Sequence, residues 1–134
     1  MIVVVDTNVV VSAAFWPRTP DHRCFLLLAR RKYRLAATET ILAEYRTTLT
    51  RVGQKECPTA NAEPFFEWIK RQALVVDPAP LGKRRSRDPN DDPFLACAIG
   101  SGAKFIVTKD GDLLAMGKPF GVETIKPADF LHRL

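Results

Sequence analysis

The sequence predicts an α/β fold, a three-layer α/β/α sandwich around a central, mostly parallel sheet of four to five strands. Two observations carry the prediction. Short apolar, β-branched runs alternate with longer segments whose apolar residues recur at helical spacing, which implies right-handed crossovers between parallel strands. The 134 residues are 46% hydrophobic and 26% charged, enough to build the core of one domain spanning 1–134 without repeats or a linker.

The elements follow in order. Ile2 to Val5 is a β-branched run suited to a strand covered on both faces, and Asp6 sits at its carboxyl end. Thr19-Pro20 opens a helix through about Arg31, with proline at a favoured first position and Cys24, Phe25, Leu27 and Leu28 as its stripe. Tyr33 to Ala37 reads as a second strand. Thr38 then caps a helix with the stripe Ile41, Leu42, Tyr45, Leu49 and Val52, and Glu44 lies beside that face. From about Thr59 to Arg71, the spacing of Ala62, Phe65, Phe66 and Ile69 marks another amphipathic helix.

Leu74 to Asp77 predicts a third strand, after which Pro78, Pro80 and Pro89 keep the chain irregular. Asp92-Pro93 supplies an N-cap and a first-turn proline for a helix through Ser101, burying Phe94, Leu95, Ala98 and Ile99. Phe105 to Val107 is a fourth strand and Asp112 to Met116 a short helix. Val122 to Ile125 reads as a fifth strand and Pro127 to Leu134 as a closing helix.

Composition removes several classes of function. A disordered tail and a disulfide-framed miniprotein are excluded. Cys24, Cys57 and Cys97 form no CxxC pattern, which predicts a reduced, cytoplasmic protein. Asp6 interrupts the apolar opening and no basic segment precedes it, so it reads as neither signal peptide nor membrane span. No GxGxxG follows the first strand and no GxxxxGK[ST] occurs, which argues against a nucleotide-cofactor enzyme. Twenty Lys and Arg against fifteen Asp and Glu give a net charge of +5, which attracts polyanions and suggests nucleic acid without establishing it.

The acids after the strands are the informative residues, because ligands of parallel α/β sheets bind outside the strands' carboxyl ends. Asp6 follows the first strand, Asp91 and Asp92 begin the helix after the third, and Asp110 and Asp112 follow the fourth. Two carboxylates about 4 Å apart repel by roughly 4 kcal/mol at an effective dielectric near 20, so a converging set takes up protons or holds cations. An all-oxygen set favours Mg²⁺ or Mn²⁺ over Zn²⁺. Each acid also has an ordinary structural reading: Asp92 as a cap, Asp110-Gly111-Asp112 as a turn, Glu44 as a solvated helix residue. Asp6 is the hardest to explain so, because it directly follows a buried strand.

Four ordered motifs resemble the PIN domain: Val5-Asp6-Thr7-Asn8-Val9-Val10-Val11-Ser12, Glu44 in mid-helix, Arg87-Asp88-Pro89-Asn90-Asp91-Asp92 before Leu95-Ala96-Cys97-Ala98, and Ile106-Val107-Thr108-Lys109-Asp110-Gly111-Asp112-Leu113-Leu114. More specifically, the chain is similar to PIN-family toxin components of prokaryotic toxin–antitoxin modules, from Met1 to about Pro127. The resemblance implies a divalent-metal-dependent endoribonuclease, an antitoxin partner and a homodimer. It matches Asp6, Glu44, Asp92 and Asp110 to the family's acidic quartet. Asp6, Asp92 and Asp110 would hold Mg²⁺ or Mn²⁺, Asp112 would be an accessory acid, Glu44 would help through a water or second ion, and Asn8 and Thr108 would be supports. The pairs Asp91/Asp92 and Asp110/Asp112 leave the register open by a residue or two; Asp92 is favoured because the helix pattern begins there. Lys109 departs from the glycine common at its position in this subgroup.

Lys83, Arg84, Arg85 and Arg87 are candidates to hold substrate phosphates near Asp92, with a solvated loop as the alternative. Trp16 and Trp68 read as packing or interface residues before base-stacking platforms. Water attacking a phosphodiester, with no covalent intermediate, is the chemistry the acid cluster suggests. The rival functions are an RNA- or partner-binding module without turnover and a Mg²⁺-binding receiver-like phosphoacceptor. The receiver reading has Lys118-Pro119 in its favour, but Asp6 stands alone after its strand and only Asp77 could accept the phosphoryl group. A haloacid-dehalogenase-like phosphatase would need an acid where Asn8 stands.

Overall fold

Ile2–Val5 forms β1 in the computed structural model, which describes residues 1–86 and 88–134. Val3, Val4 and Val5 are fully buried, as a strand covered on both faces requires. β1 pairs in parallel with β2 (Arg34–Ala37) on one side and β4 (Phe105–Val107) on the other, with Val3 opposite both Leu35 and Phe105. β3 (Leu74–Val75) joins the outer edge of β2, and β5 (Glu123–Ile125) that of β4. Among the described residues the sheet has five strands, all parallel, in the order β3-β2-β1-β4-β5. The chain winds outward from β1 to β3, then crosses back to β4, so its direction of winding reverses between β1 and β4. Such a reversal opens a crevice at the carboxyl ends of the two strands.

The helices complete the three-layer sandwich. α1 (Thr7–Phe15) and α2 (Pro20–Ala29) connect β1 to β2, and α3 (Glu39–Glu56) and α4 (Glu63–Gln72) connect β2 to β3. α5 (Asp92–Ser101) packs across β1, β2 and β4, α6 (Gly111–Met116) precedes β5, and α7 (Pro127–Arg133) packs against α2. Thr19 and Thr38 cap α2 and α3 as expected, accepting from the His22 and Ile41 amides at 3.1 Å. Phe130 of α7 meets Tyr33 and Phe105 edge to face, at centroid distances of 5.1 and 5.6 Å.

Two differences from the sequence reading have physical causes. The periodicity of residues 7–15 gave no helix, because α1 is buried on several sides and carries three consecutive valines of modest helix propensity. The irregular stretch before α5 holds a 3₁₀ turn, Pro89–Asp91, capped by Asp88, whose Oδ1 accepts from the Asn90 amide at 3.0 Å. Asp92 is therefore the first residue of α5 rather than its cap.

Gly100 joins α5 to the segment after β3. A Cβ there would lie 2.5 Å from the Asp77 carbonyl oxygen and 3.1 Å from the Ala79 nitrogen. The close approach also lets the Ala79 amide donate to the Ala96 carbonyl at 3.1 Å, which fixes where the stretch leading to Asp91 begins.

Candidate functional site

The crevice at the winding reversal is an acidic cleft of about 300 Å³. β1 delivers Asp6, which is 6% exposed, to its floor. Asp6 occupies the N-cap position of α1 but makes no side-chain cap. Its Oδ2 instead accepts from the Thr108 hydroxyl at 2.7 Å. The same hydroxyl oxygen accepts from the Asp110 amide at 2.9 Å, so Thr108 ties the end of β1 to the end of β4. Asp110 caps α6, its Oδ1 accepting from the Asp112 amide at 2.7 Å, and it also lines the cleft.

The opposite wall comes from α3. Glu44 accepts a hydrogen bond from the buried Thr7 hydroxyl, and Tyr45 beside it donates to the Val5 carbonyl, locking α3 to the strand that carries Asp6. Thr48 and Arg51 lie four and seven residues beyond Glu44 and share its edge of the cleft. Asp88, Asn90 and Asp91 close the site from the 3₁₀ turn, and Asn8 from the first turn of α1.

Asp91 is 5% exposed, and its Oδ2 has no hydrogen-bond partner. Burial, with the neighbouring charges of Asp110, Asp6, Asp88 and Asp112, pushes its carboxyl up to about 7. Asp6 is also raised, by burial first and then by Asp110 and Glu44, while the hydrogen bonds from Thr108 and the Thr7 amide oppose the rise. The carboxylates therefore repel one another, most strongly at the buried Asp6 and Asp91. Among the described residues no three Asp, Glu, His or Cys side chains are gathered as a ready-made metal cage. The donor chemistry nonetheless fits a hard divalent cation, because the set is all oxygen and includes a buried carboxylate oxygen with no other partner.

The cleft gathers Asp6, Asn8, Glu44 and Asp110 of the anticipated site residues, with Thr108 beneath them. Asp112 follows at the start of α6. Asp92 does not line the cleft: its Oδ1 accepts from the Ser86 amide at 2.7 Å and its Oδ2 lies 3.9 Å from Arg85 Nε. Adjacent residues entering a helix face different directions, so the single-residue register decides which acid reaches the site. Lys83, Arg84 and Arg85 also lie outside the cleft lining. Arg84 donates to the Pro80 and Leu81 carbonyls and covers the Phe120 ring. Arg87 lies outside the described residues. Asp77, the acid a receiver would need, follows the edge strand β3 and is not part of the cleft.

Thr7, Thr48, Arg51, Asp88 and Asn90 were not singled out from the sequence. Helical spacing from Glu44 could have found Thr48 and Arg51. No periodic signal marks the other three.

The chain is thus a parallel α/β domain with an acidic cleft at its winding reversal. The family model described as the PIN domain matches residues 2–112, and the chain belongs to that family. Two solved structures share its fold. PAE2754 from Pyrobaculum aerophilum is 20% identical, with a TM-score of 0.68 over 99% of this chain and 94% of its own. VapBC2 from Rickettsia felis, solved bound to a DNA fragment from its promoter, is 15% identical, with a TM-score of 0.59 over 94% of this chain and 98% of its own. No curated protein sequence matches the chain.

Proposed function

We propose that the protein is a divalent-metal-dependent endoribonuclease, the toxin of a toxin–antitoxin module. The observation that carries the reading is Asp91 Oδ2, buried and unpartnered among Asp6, Asp88 and Asp110. Asp6, Asp91 and Asp110 would hold Mg²⁺ or Mn²⁺, with Asp91 in the place the sequence reading gave to Asp92, and Asp112 and Glu44 would support them. When bound, the cation supplies a lowered pKa for the attacking water and charge neutralisation at the phosphoryl oxygens.

The chain's own residues set the geometry for this chemistry. Thr108 fixes the rotamer of Asp6 and the start of the Asp110 turn through one hydroxyl. Thr7 holds Glu44 toward the cleft, where its exposed carboxylate can orient a water. Arg51 stands at the rim as a cation for a substrate phosphate on its way to the acids. Asn8 supplies an uncharged polar contact beside it.

Family membership supports nuclease activity. The toxin-like motifs extend this reading to an antitoxin that covers the cleft and to a homodimer, and the free cysteines extend it to a cytoplasmic location; the likeness to VapBC2 supports the antitoxin. Among the described residues no helix is long and apolar enough to cross a membrane.

The test is cleavage of a mixed RNA pool by the purified chain with Mn²⁺, Mg²⁺ or EDTA, run beside Asp6→Asn. Cleavage that needs both the metal and Asp6 is the expected result. Folded protein that binds RNA but leaves it intact under every metal condition would establish a binding module instead.

A further inference from the structure

A second groove, of about 370 Å³, opens beside the acidic cleft between α1 and α3 and shares Asn8 and Arg51 with it. Its volume falls in the range of small-ligand pockets, ~300–1,000 Å³. Trp16, at the end of α1, lines it and is 43% exposed. The Trp16 ring is braced edge to face by Phe15, at a centroid distance of 6.0 Å, and its carbonyl accepts from the Thr19 hydroxyl at 2.9 Å. Trp68, by contrast, is half-buried and stacked on Phe65.

Arg51, Lys55 and Lys109 surround Trp16, with Glu56 among them. Lys109 is held by the buried Asp21, with Nζ 2.6 Å from Oδ2. That pair positions an ammonium on the groove wall and leaves it further N–H donors.

We propose that this groove is a subsite for an unpaired nucleotide of the RNA strand, with Trp16 stacking on its base while Arg51, Lys55 and Lys109 hold the adjoining backbone. The proposal rests on the reading of the neighbouring cleft as the phosphodiester site. An aromatic face flanked by cations is the arrangement that binds single strands, since every base offers a π-face and every linkage a negative charge. The shared Arg51 and Asn8 make groove and cleft one continuous path. Glu56 and Asp21 offset part of the positive charge, so stacking carries much of the affinity and the salt dependence is shallow.

The experiment titrates the full-length Trp68→Phe chain, whose single tryptophan is Trp16, with a short unstructured A/U-rich oligoribonucleotide in Ca²⁺ buffer, the RNA being checked for integrity on a gel. Saturable quenching of Trp16 is expected, with a log–log salt slope of roughly −1, one to two phosphates at about −0.7 each. Trp16→Ala is expected to weaken oligonucleotide binding about 10-fold or more. Trp16→Phe, which keeps a ring and guards against misfolding, loses less, and a duplex of the same sequence binds weakly. Absence of quenching, or unchanged affinity in Trp16→Ala, overturns the subsite. So does a groove that takes a helical peptide while oligonucleotide binding ignores Trp16.

The two readings fail separately. Quenching without metal-dependent cleavage by the unmodified chain sinks the nuclease and keeps the subsite. Cleavage whose KM is unmoved by Trp16→Ala does the reverse.

Discussion

Replacing Asp91 with asparagine is expected to stabilise the metal-free protein. A buried carboxylate whose oxygen lacks a partner, set among three or four other acids, opposes folding whenever it is ionised. Its pKa rises from 3.8 in the ordinary range to about 7 in the fold. Three units at 1.36 kcal/mol each bound the effect at about 4 kcal/mol. Solvent reaching the open cleft screens part of this, leaving about 1–2 kcal/mol.

The sign follows from linkage. Between about pH 4 and 7 the folded state holds the Asp91 proton more tightly than the unfolded state. Stability therefore falls as pH rises through that window and levels above it. Asparagine removes the ionisation and offers an amide donor to the neighbouring carboxylates. Thermal unfolding in EDTA at about pH 8 should thus show the variant melting roughly 3–8 °C above wild type. The gap should close below about pH 3, where Asp91 is protonated in both states. Saturating Mn²⁺ should reverse the order, because only the wild type keeps the ligand. A variant that melts at or below wild type at about pH 8 in EDTA would refute the claim that Asp91 faces unrelieved repulsion.

Three further outcomes follow from particular contacts. Thr108→Val keeps the shape but removes the hydroxyl shared by Asp6 and the Asp110 amide; it should lower kcat/KM for RNA by about 10-fold or more and move the acid limb of the pH–rate profile upward, with Thr108→Ser restoring both. Gly100→Ala should destabilise by about 1–3 kcal/mol in urea despite the better helix propensity of alanine, since its methyl group would meet the Asp77 carbonyl. Burial pushes the Cys24 and Cys97 thiols up to about 12, so iodoacetamide should label the half-buried Cys57 in the native chain and spare the other two.

The fold was legible where the sequence repeated a period. The β-branched run of Ile2–Val5, the Thr38 cap and the apolar stripe of α3 each pointed to one local structure and one buried face, and the parallel sheet followed from their alternation. α1 was illegible because its polar face is only Asn8 and Ser12, too narrow beside the buried valines to set a period. The edge strand β3 is shorter than the run Leu74 to Asp77 suggests. A strand paired on one side has fewer neighbours to extend it.

The site was legible as a set of acids at strand ends, because topology alone brings those positions together. Its register was not. Asp91 and Asp92 are chemically identical, and only the 3₁₀ turn of Pro89–Asp91 sends one toward the cleft and the other toward Ser86 and Arg85. Thr48 and Arg51 were missed because their role depends on where Glu44 points, which spacing reveals only once Glu44 is placed. The basic run near residue 84 had a local signal, yet Arg84 satisfies neighbouring carbonyls instead of facing the cleft.

The central claim is that the cleft holds a divalent cation on Asp6, Asp91 and Asp110, and titration of Mn²⁺ followed by electron paramagnetic resonance addresses it most directly. Wild type and Asp92→Asn should bind Mn²⁺ with similar affinity, while Asp6→Asn and Asp91→Asn should each weaken it about 10-fold or more. Binding that survives in Asp91→Asn but is lost in Asp92→Asn would contradict the account and move the site to the other acid.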